Sequence, residues 1–319
     1  MTDHRLRWPQ LPASVRERVE AEIGARVVAT ESGRGGYSPS FASRCDLDDG
    51  RALFVKAVSP AQNPDSPGML RSEIAVTAAL PRHVPAPRLI AAVDDGEWVV
   101  GVFEHVDGRT PGDPWTDDDL HRVTRALDAL ATTPLPPALA AVLPRAEDRL
   151  ADQFGDWRRL ADTGCDDPID GWAAEHLEEL VALETGWEDA LHGDALLHFD
   201  ARSDNILVER TGRVVLVDWP HACTGAPWVD LVVTAPAIAL EGGPDPAWLL
   251  ELAGIVVDHD VLDTVVAALA GYFVRRGGLP DPPGLPTVRA FQRAQGAVTL
   301  EWLRSRLGPA RANPSRRTD

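Results

Sequence analysis

The stretch from Leu197 to Asp218 constrains this chain more than any other part of its sequence. It carries two acids and one amide, Asp200, Asn205 and Asp218, separated by five and then thirteen residues. Two short apolar runs follow Asn205 and flank a Thr-Gly pair, which predicts a β-hairpin. The hairpin would return Asp218 to the side of Asn205, opposite Asp200. Phosphoryl transfer requires such a set, with one carboxylate to accept a hydroxyl proton and oxygen ligands to hold Mg²⁺ against phosphates.

A second His-x-Asp triplet, which ends at Asp194, lies six residues before the first. Five residues beyond Asp194 is Phe199, whose side chain cannot bind a metal ion. The same spacing from Asp200 reaches Asn205, which can. This spacing therefore favours the triplet that begins at His198 as the one in the predicted catalytic loop.

The pattern H-x-D-x-x-x-x-N, an apolar strand and D-W at Asp218, with a later D-L at Asp230, resembles a known protein family. It is similar to the catalytic core of aminoglycoside phosphotransferases and related kinase-like small-molecule kinases. The resemblance extends over residues 25–307. It implies an α+β, two-lobed, protein-kinase-like fold with a small antiparallel β-sheet in the N-lobe and a mainly helical C-lobe. We expect the N-lobe at 1–103, the hinge at 104–108 and the C-lobe at 109–319, with a disordered tail from 308.

The resemblance also implies roles for the residues of the central stretch. Asp200 would be the general base, or at least the group that orients the acceptor hydroxyl. Arg202 would stabilise charge on the transferring phosphate, although a surface salt bridge explains its position nearly as well. Asn205 and Asp218 would supply oxygen ligands to one or two Mg²⁺ ions.

Two further residues are expected to hold the catalytic loop. His198 would do so through hydrogen bonds of its ring, and Asp230 by accepting hydrogen bonds from the loop backbone. The sequence departs from protein kinases at Phe199, which replaces the Arg of H-R-D, and no A-P-E segment follows Asp218. Without that Arg an activation-loop phosphate has no obvious partner, which favours a small-molecule acceptor.

Lys56 is the only lysine in the chain, and it lies in the centre of an apolar strand-like run. A compact ammonium suits a phosphate in a tight pocket better than a planar guanidinium does, although chance survival of one lysine is equally consistent with composition. Glu73 follows in a helical stretch. In kinases a Lys on the third strand pairs with a Glu on the next helix and positions the nucleotide phosphates. The resemblance predicts this pairing here, against a solvated position for Glu73.

A glycine-rich turn precedes Lys56 and contains Gly35, Gly36 and Ser38. Such a turn between strands is often an ordinary hairpin, but its place before Lys56 favours a loop whose N–H groups and hydroxyl cover phosphates. The resemblance further implies that backbone groups of the hinge, at Glu104 and Val106, bind the nucleotide base. The implied cofactors are ATP or GTP, with Mg²⁺.

Apolar periodicity predicts the remaining elements. A capping box is predicted at Thr116 and Asp119, at the start of a helix. The strands are expected at 25–30, 41–45, 51–58, 88–93 and 97–103. Other helices are expected at 12–24, 69–80, 247–257, 261–275 and 287–307.

Composition excludes several classes of partner. The formal net charge of −18 disfavours nucleic acid, because phosphate backbones need clustered Lys and Arg. No apolar run is long enough to span a membrane, and the N-terminal segment lacks an apolar signal core. The three cysteines have no metal-ligand spacing. We therefore expect a cytoplasmic enzyme that meets neither nucleic acid nor membrane; the sequence carries no signal for an oligomeric state.

The predicted activity is Mg²⁺-dependent transfer of a nucleotide γ-phosphate to a hydroxyl of a small molecule. The acceptor is open between an aminoglycoside or other antibiotic, in resistance or self-protection, and a metabolite such as a sugar, nucleoside or amino alcohol. Acid-rich segments that could bind amino sugars are 113–119, 156–170 and Glu301, although acid runs are usually solvated faces. A protein kinase and a catalytically silent nucleotide-binding protein are the less favoured alternatives.

Overall fold

A five-stranded antiparallel sheet with two helices forms the first part of the chain. The computed structural model describes residues 5–33, 40–112, 114–164, 169–283 and 285–311. The spatial strand order is β1-β2-β3-β5-β4. In chain order the elements are α1 (Ala13–Ile23), β1 (Val27–Ser32), β2 (Phe41–Leu47), β3 (Ala52–Val58), α2 (Ser66–Ala79), β4 (Leu89–Asp94) and β5 (Val99–Glu104).

Strict alternation of side chains decides which face of β3 each residue occupies. Leu53 and Val55 point into an apolar cluster with the inner face of α1. Phe54 and Val58 belong to the opposite cluster, which α2 covers. Lys56 lies between Phe54 and Val58 in this alternation and therefore points toward α2.

The second part of the chain is mainly helical, with two small antiparallel sheets in the orders β6-β8-β9 and β10-β7. Short 3-10 turns occur at Trp8–Gln10 and Ser203–Asn205. The elements are β6 (Gly108–Arg109), α3 (Asp117–Ala131), α4 (Pro137–Ala140), α5 (Ala146–Leu150), α6 (Asp156–Thr163), α7 (Gly171–Glu175), α8 (Leu177–Glu184), α9 (Trp187–Leu191), β7 (Ala195–Leu197), β8 (Ile206–Glu209), β9 (Val214–Leu216), β10 (Cys223–Gly225), α10 (Val229–Leu240), α11 (Pro246–Leu252), α12 (His259–Gly277) and α13 (Val288–Arg311).

The two parts share a packed seam beside the central hairpin. The end of α2 and the loop after it contribute Val76, Leu80 and Val84 to the large core of the helical part. The N–H of Leu216 in β9 donates to the carbonyl of Pro85 at 2.8 Å. Burial of these apolar side chains ties α2, which carries Glu73, to the hairpin that ends at Asp218.

The predicted fold class is confirmed: a small antiparallel sheet precedes a mainly helical part. Each predicted strand of the sheet is present, and no end differs from the predicted one by more than two residues. The helix predicted at 247–257 is too long, because α11 stops at Leu252 before Gly254, whose φ of +66° is left-handed. The lobe limits stay a prediction.

One smaller prediction was wrong in part. Thr116 does cap α3 by accepting the N–H of Asp119 at 3.2 Å, but the Asp119 carboxylate pairs with Arg109 at 2.6 Å instead of returning to the cap. The disorder expected from residue 308 stays a prediction; α13 ends at Arg311 with non-helical backbone at Gly308. Residues 312–319 lie outside the described residues. No described helix is both long and apolar enough to cross a membrane.

Candidate active site

The side chain of Asp230, in the first turn of α10, binds the backbone of the loop between β7 and β8. One carboxylate oxygen accepts the N–H of His198 at 2.8 Å and the other accepts the N–H of Phe199 at 2.7 Å. Phe199 has a φ of 65°, a left-handed conformation that is uncommon for a bulky residue. Burial raises the pKa of Asp230 to about 6, and the two backbone hydrogen bonds oppose that shift. The carboxylate thus stabilises an unusual turn of the backbone just before Asp200.

Removing this carboxylate should destabilise the fold. Asp230→Ala leaves two buried N–H groups without an acceptor, and each costs about 1–3 kcal/mol. We expect a loss of about 2–4 kcal/mol in the free energy of unfolding, measured by urea denaturation at pH 7. Asp258→Ala is the matched control, because Asp258 only caps the exposed start of α12 and should cost about 1 kcal/mol. Equal losses for the two variants would contradict a special role for Asp230.

His198 lies fully buried behind the same loop. Its Nε2 is 3.0 Å from the carbonyl of Val217, so Nε2 carries the proton and Nδ1 accepts the N–H of Asp200 at 3.3 Å. The ring packs edge-on against Trp219, with centroids 4.6 Å apart. Burial lowers the pKa of His198 to about 4, while the charge of Asp218 opposes that shift. The imidazole is therefore neutral at pH 7 and connects the loop to the end of the hairpin.

This depressed pKa predicts a pH-dependent contribution to stability. In the unfolded chain the pKa of this ring is near 6.5. The stability that the neutral, buried ring contributes to the fold is therefore fully present above pH 6.5 and is lost as the pH falls toward 4. A shift of this size corresponds to about 3 kcal/mol. The raised pKa values of Asp200 and Asp230 change the stability of the whole protein with pH in the opposite direction, so the effect of His198 is measured as a difference between variants. The free energy of unfolding of the wild type minus that of His198→Gln should shrink by about 3 kcal/mol from pH 7 to pH 4.

The control for this comparison is His121→Gln, since the ring of His121 is exposed on α3. Urea denaturation at pH 7, 5.5 and 4 measures both differences. We expect the His121 difference to stay constant across the three values. A constant difference for His198→Gln as well would contradict the buried, neutral imidazole.

Asp200 lies at the open side of the loop, with its side chain 26% exposed. One carboxylate oxygen is 3.1 Å from Nε of Arg202, and the other accepts Nδ2–H of Asn205 at 2.9 Å. Burial raises the pKa of Asp200 to about 7, and the charge of Arg202 opposes that shift. The carboxylate of Asp200 is thus held by two side chains at the open side of the loop.

The hairpin brings Asp218 to Asn205, as its sequence predicted. β8 and β9 pair in the register Ile206 to Leu216, and the N–H of Val217 donates to the carbonyl of Asn205 at 2.9 Å. Asp218 follows with a left-handed φ of 68°. The amide of Asn205 donates to Asp200, and its Oδ1 accepts no hydrogen bond from any described residue. Two oxygen-bearing groups therefore remain at the end of the hairpin, one neutral and one anionic.

Lys56 joins the sheet to this hairpin. Its Nζ lies 2.7 and 2.8 Å from the two carboxylate oxygens of Glu73 and 2.9 Å from Oδ1 of Asp218. Burial alone would lower the pKa of Lys56, but the charges of Asp218 and Glu73 outweigh it and raise the pKa. Burial acts to raise the pKa of Asp218, yet the Lys56 ammonium dominates and lowers it. Lys56 is therefore a cation and Asp218 an anion at neutral pH.

The structure describes only some of the other residues that the sequence predicts to bind the nucleotide. Gly35, Gly36 and Ser38 lie outside the described residues, so their assignment stays a prediction. The N–H of Glu104 donates to the carbonyl of Arg88 at 2.8 Å, which removes it from the groups that could bind a base. The N–H of Val106 makes no hydrogen bond to any described residue. The assignment of base-binding backbone groups at Glu104 and Val106 stays a prediction.

Several contacts of the loop come from residues that the sequence did not single out. The guanidinium of Arg202 stacks over the ring of Phe291, with its centre 5.3 Å from the centroid. Ser203 donates to Glu241 at 2.7 Å, and Glu241 also accepts Nε1–H of Trp115 at 3.1 Å. These partners are 38 to 126 residues apart in the chain, and no local pattern marks them. Only the tertiary fold brings these residues together.

A sheet lysine paired with a helix glutamate, next to a loop that carries an acid and an amide, is typical of the two-lobed, kinase-like class of phosphotransferases. Residues 32–263 match the model of the phosphotransferase enzyme family. The chain therefore belongs to that family, and the resemblance read from its motifs is confirmed. No curated protein sequence matches this chain significantly.

Solved structures share the fold at low sequence identity. APH(2")-IIia, in a complex with GDP and kanamycin, has a TM-score of 0.61 and 16% identity, over 95% of this chain and 100% of that chain. Spectinomycin phosphotransferase APH(9)-Ia, with ADP and spectinomycin, has a TM-score of 0.57 and 13% identity, over 90% and 93%. Choline kinase LicA from Streptococcus pneumoniae has a TM-score of 0.58 and 14% identity, over 90% and 98%. At these identities the likeness establishes the fold and leaves the acceptor open.

Proposed function

We propose that this protein transfers the γ-phosphate of ATP or GTP to a hydroxyl group of a small molecule, with Mg²⁺ as cofactor. The contact of Lys56 with both Glu73 and Asp218, at 2.7 to 2.9 Å, carries this proposal. It couples the sheet to the hairpin in the arrangement by which kinases hold nucleotide phosphates. Membership of the phosphotransferase family supports the reaction class.

Asp200 is proposed as the proton acceptor. As the acceptor hydroxyl loses its proton to the carboxylate, its oxygen forms a bond to the γ-phosphorus and the bond to the β-phosphate oxygen breaks, which releases the nucleoside diphosphate. Asn205 holds one oxygen of Asp200 through its amide, which leaves the other oxygen beside Arg202. Arg202 is proposed to stabilise charge on the transferring group, and Lys56 to bind the phosphates of the nucleotide.

The donor set at the end of the hairpin fits Mg²⁺. Among the described residues there is no cluster of three or more His, Cys, Asp or Glu side chains suited to a metal ion. Mg²⁺ does not need one, because it usually binds through one or two carboxylates together with phosphates and waters. Asp218 and the free Oδ1 of Asn205 would hold it. When bound, the ion neutralises charge on the phosphates.

The solved structures with a similar fold support either an antibiotic or a metabolite as the phosphate acceptor, and they do not favour one over the other. The names of these structures include kanamycin, spectinomycin and choline, which are different hydroxyl compounds. An antibiotic, a sugar, a nucleoside and an amino alcohol therefore all remain acceptor hypotheses. A protein kinase and a silent nucleotide-binding protein are less consistent with Phe199 and with the filled Lys56, Asp200 and Asp218 positions. The cytoplasmic location stays a prediction.

The decisive test is ADP or GDP release with Mg²⁺ across a panel of hydroxyl-bearing antibiotics and metabolites. Mass spectrometry of the acceptor should show the gain of one phosphate, and generic protein substrates should remain unlabelled. Thermal shift should show nucleotide binding that EDTA abolishes. A protein that binds no nucleotide in the presence of Mg²⁺ would not be a kinase.

A further inference from the structure

Two consecutive residues of α2, Ser72 and Glu73, contact the segment that follows β9. Glu73 reaches this segment through Lys56, whose Nζ is 2.9 Å from Oδ1 of Asp218. Ser72 reaches it directly, because its hydroxyl donates to the carbonyl of Pro220 at 3.1 Å. These contacts join parts of the chain that are 162 and 148 residues apart. The helix is therefore bound at both ends of the stretch from Asp218 to Pro220.

The carbonyl of Pro220 is a fixed point of the helical part. Pro220 is buried, and its carbonyl also accepts Nη2–H of Arg149, on α5, at 3.1 Å. The preceding residue, Trp219, is 1% exposed, and its Nε1–H donates to the carbonyl of Leu216 at 2.8 Å. Residues outside α2 therefore decide the position of this carbonyl, and the hydroxyl of Ser72 ties the helix to it.

The Ser72 contact differs from the charged contacts beside it. In the function proposed above, Lys56 binds nucleotide phosphates and Asp218 binds Mg²⁺, so each would exchange the other for a ligand. The hydroxyl of Ser72 and the carbonyl of Pro220 are neutral, and neither belongs to the proposed ligand set. Their hydrogen bond therefore keeps the spacing between α2 and the hairpin when the ion pair of Lys56 with Asp218 is given up.

We propose that Ser72 is a positioning residue, whose bond to Pro220 holds α2 at the distance from the hairpin that the contacts of Lys56 require. This inference deepens the phosphotransferase function proposed above and rests on it. Lys56 extends from the sheet, Glu73 from the helix and Asp218 from the end of the hairpin. Contacts of 2.7 to 2.9 Å among them require the three elements to keep fixed distances. The hydrogen bond of Ser72 restricts one of these distances without adding charge to the site.

Chemical modification of Lys56 tests this spacing in the protein without nucleotide or metal. Lys56 is the only lysine, so acetic anhydride followed by peptide mass spectrometry reports on this side chain. An amine reacts as the free base, and the two carboxylates favour the ammonium. Ser72→Ala should therefore raise the rate of Lys56 acetylation about 3- to 10-fold, the range that corresponds to the loss of one hydrogen bond. Ser72→Thr keeps a hydroxyl and should recover most of the difference.

Nucleotide binding measures the consequence for the proposed function. Isothermal titration calorimetry with ADP and Mg²⁺ gives the dissociation constant for the wild type and for each variant. We expect Ser72→Ala to raise this constant about 3- to 10-fold, because the phosphate-binding ammonium and the metal-binding carboxylate are then held less well in place. Ser72→Thr should bind ADP nearly as the wild type does.

Two control variants separate positioning from a loss of stability. Asp258→Ala removes the cap of α12 and lowers the stability by an amount similar to one hydrogen bond. Thr77→Val removes another hydroxyl from α2, one that forms no hydrogen bond with any described residue. Both variants should match the wild type in Lys56 acetylation and in ADP binding with Mg²⁺. Urea denaturation at pH 7 verifies that all the compared proteins are folded.

The outcomes separate this inference from the function on which it rests. Acetylation and ADP binding of Ser72→Ala at the wild-type values overturn the positioning role and leave the proposed kinase intact. An equal change in Asp258→Ala also overturns it, because the effect is then one of stability. Absence of Mg²⁺-dependent nucleotide binding in the wild type overturns the proposed function together with the inference. Faster acetylation and weaker binding in Ser72→Ala, reversed in Ser72→Thr and absent from both controls, support the positioning role.

Discussion

Replacing Asp200 by Asn is expected to lower kcat by about 10²- to 10⁴-fold, the range attributed to a positioned proton acceptor. An amide keeps the size of the side chain and can still contact Asn205, but it cannot accept the hydroxyl proton. The effect should appear in kcat, while the dissociation constant of the Mg²⁺–nucleotide complex changes little, because Asp200 is not among the proposed phosphate ligands. Steady-state ADP release and nucleotide titration by thermal shift measure the two quantities.

The sequence supplies a matched control for this substitution. Asp194 ends the other His-x-Asp triplet, its side chain is 89% exposed, and its nearest arginine is Arg145 at 3.6 Å. Asp194→Asn should therefore retain wild-type kcat. Equal activity of the Asp200 and Asp194 variants would show that Asp200 takes no proton and would remove the catalytic assignment.

Removing the Lys56 ammonium should produce the second large effect. Lys56→Met takes away the cation proposed to bind the nucleotide phosphates, and loss of one such preorganised donor costs about 10²- to 10³-fold in kcat/KM. The variant also leaves Glu73, which is 4% exposed, without its partner, and breaking a buried pair in this way costs about 3–5 kcal/mol of stability. The double variant Lys56→Met with Glu73→Gln removes the buried charge and keeps the fold testable.

Lys56→Arg separates charge from shape at the same position. The ammonium fits between two carboxylates at 2.7 to 2.9 Å, and a guanidinium is larger and planar, so we expect at most partial activity. Because Lys56 is the only lysine, an amine-directed acetylating reagent reports on one side chain, and Mg²⁺ with ATP should protect it. Full activity of Lys56→Met would contradict the proposed phosphate contact. Arg44→Met, on the exposed side of neighbouring β2, is the control.

Local sequence was sufficient to predict the structure where residues that are close along the chain are also close in space. The hairpin is such a case, since a four-residue strand, a turn with Gly212 and a three-residue strand can bring Asp218 only to the side of Asn205. The placement of Lys56 toward α2 is another, because the period of two along β3 decides its face. Both follow from backbone geometry that any short segment obeys.

Local sequence did not predict what distant segments supply to the same site. The capping box at Thr116 failed in its second half because Arg109, ten residues away, competes for the carboxylate of Asp119. The left-handed φ at Phe199 is not a preference of that residue, and the structure tolerates it where Asp230 binds the neighbouring backbone. In both places a tertiary partner overrides a local tendency.

The sequence by itself predicted the family of this protein, and the family match confirms it. Asp200, Asn205 and Asp218 have a fixed spacing along one loop and the hairpin that follows it, and the only lysine stands in a predicted strand, so the proposed catalytic groups can be read from short segments. Only the tertiary structure decided which distant residues meet at the site. Lys56 pairs with Asp218 across 162 residues of the chain, and Asp230 of α10 binds the backbone of the loop just before Asp200. Charge pairing depends on three-dimensional distance, which the order of residues along a chain does not specify.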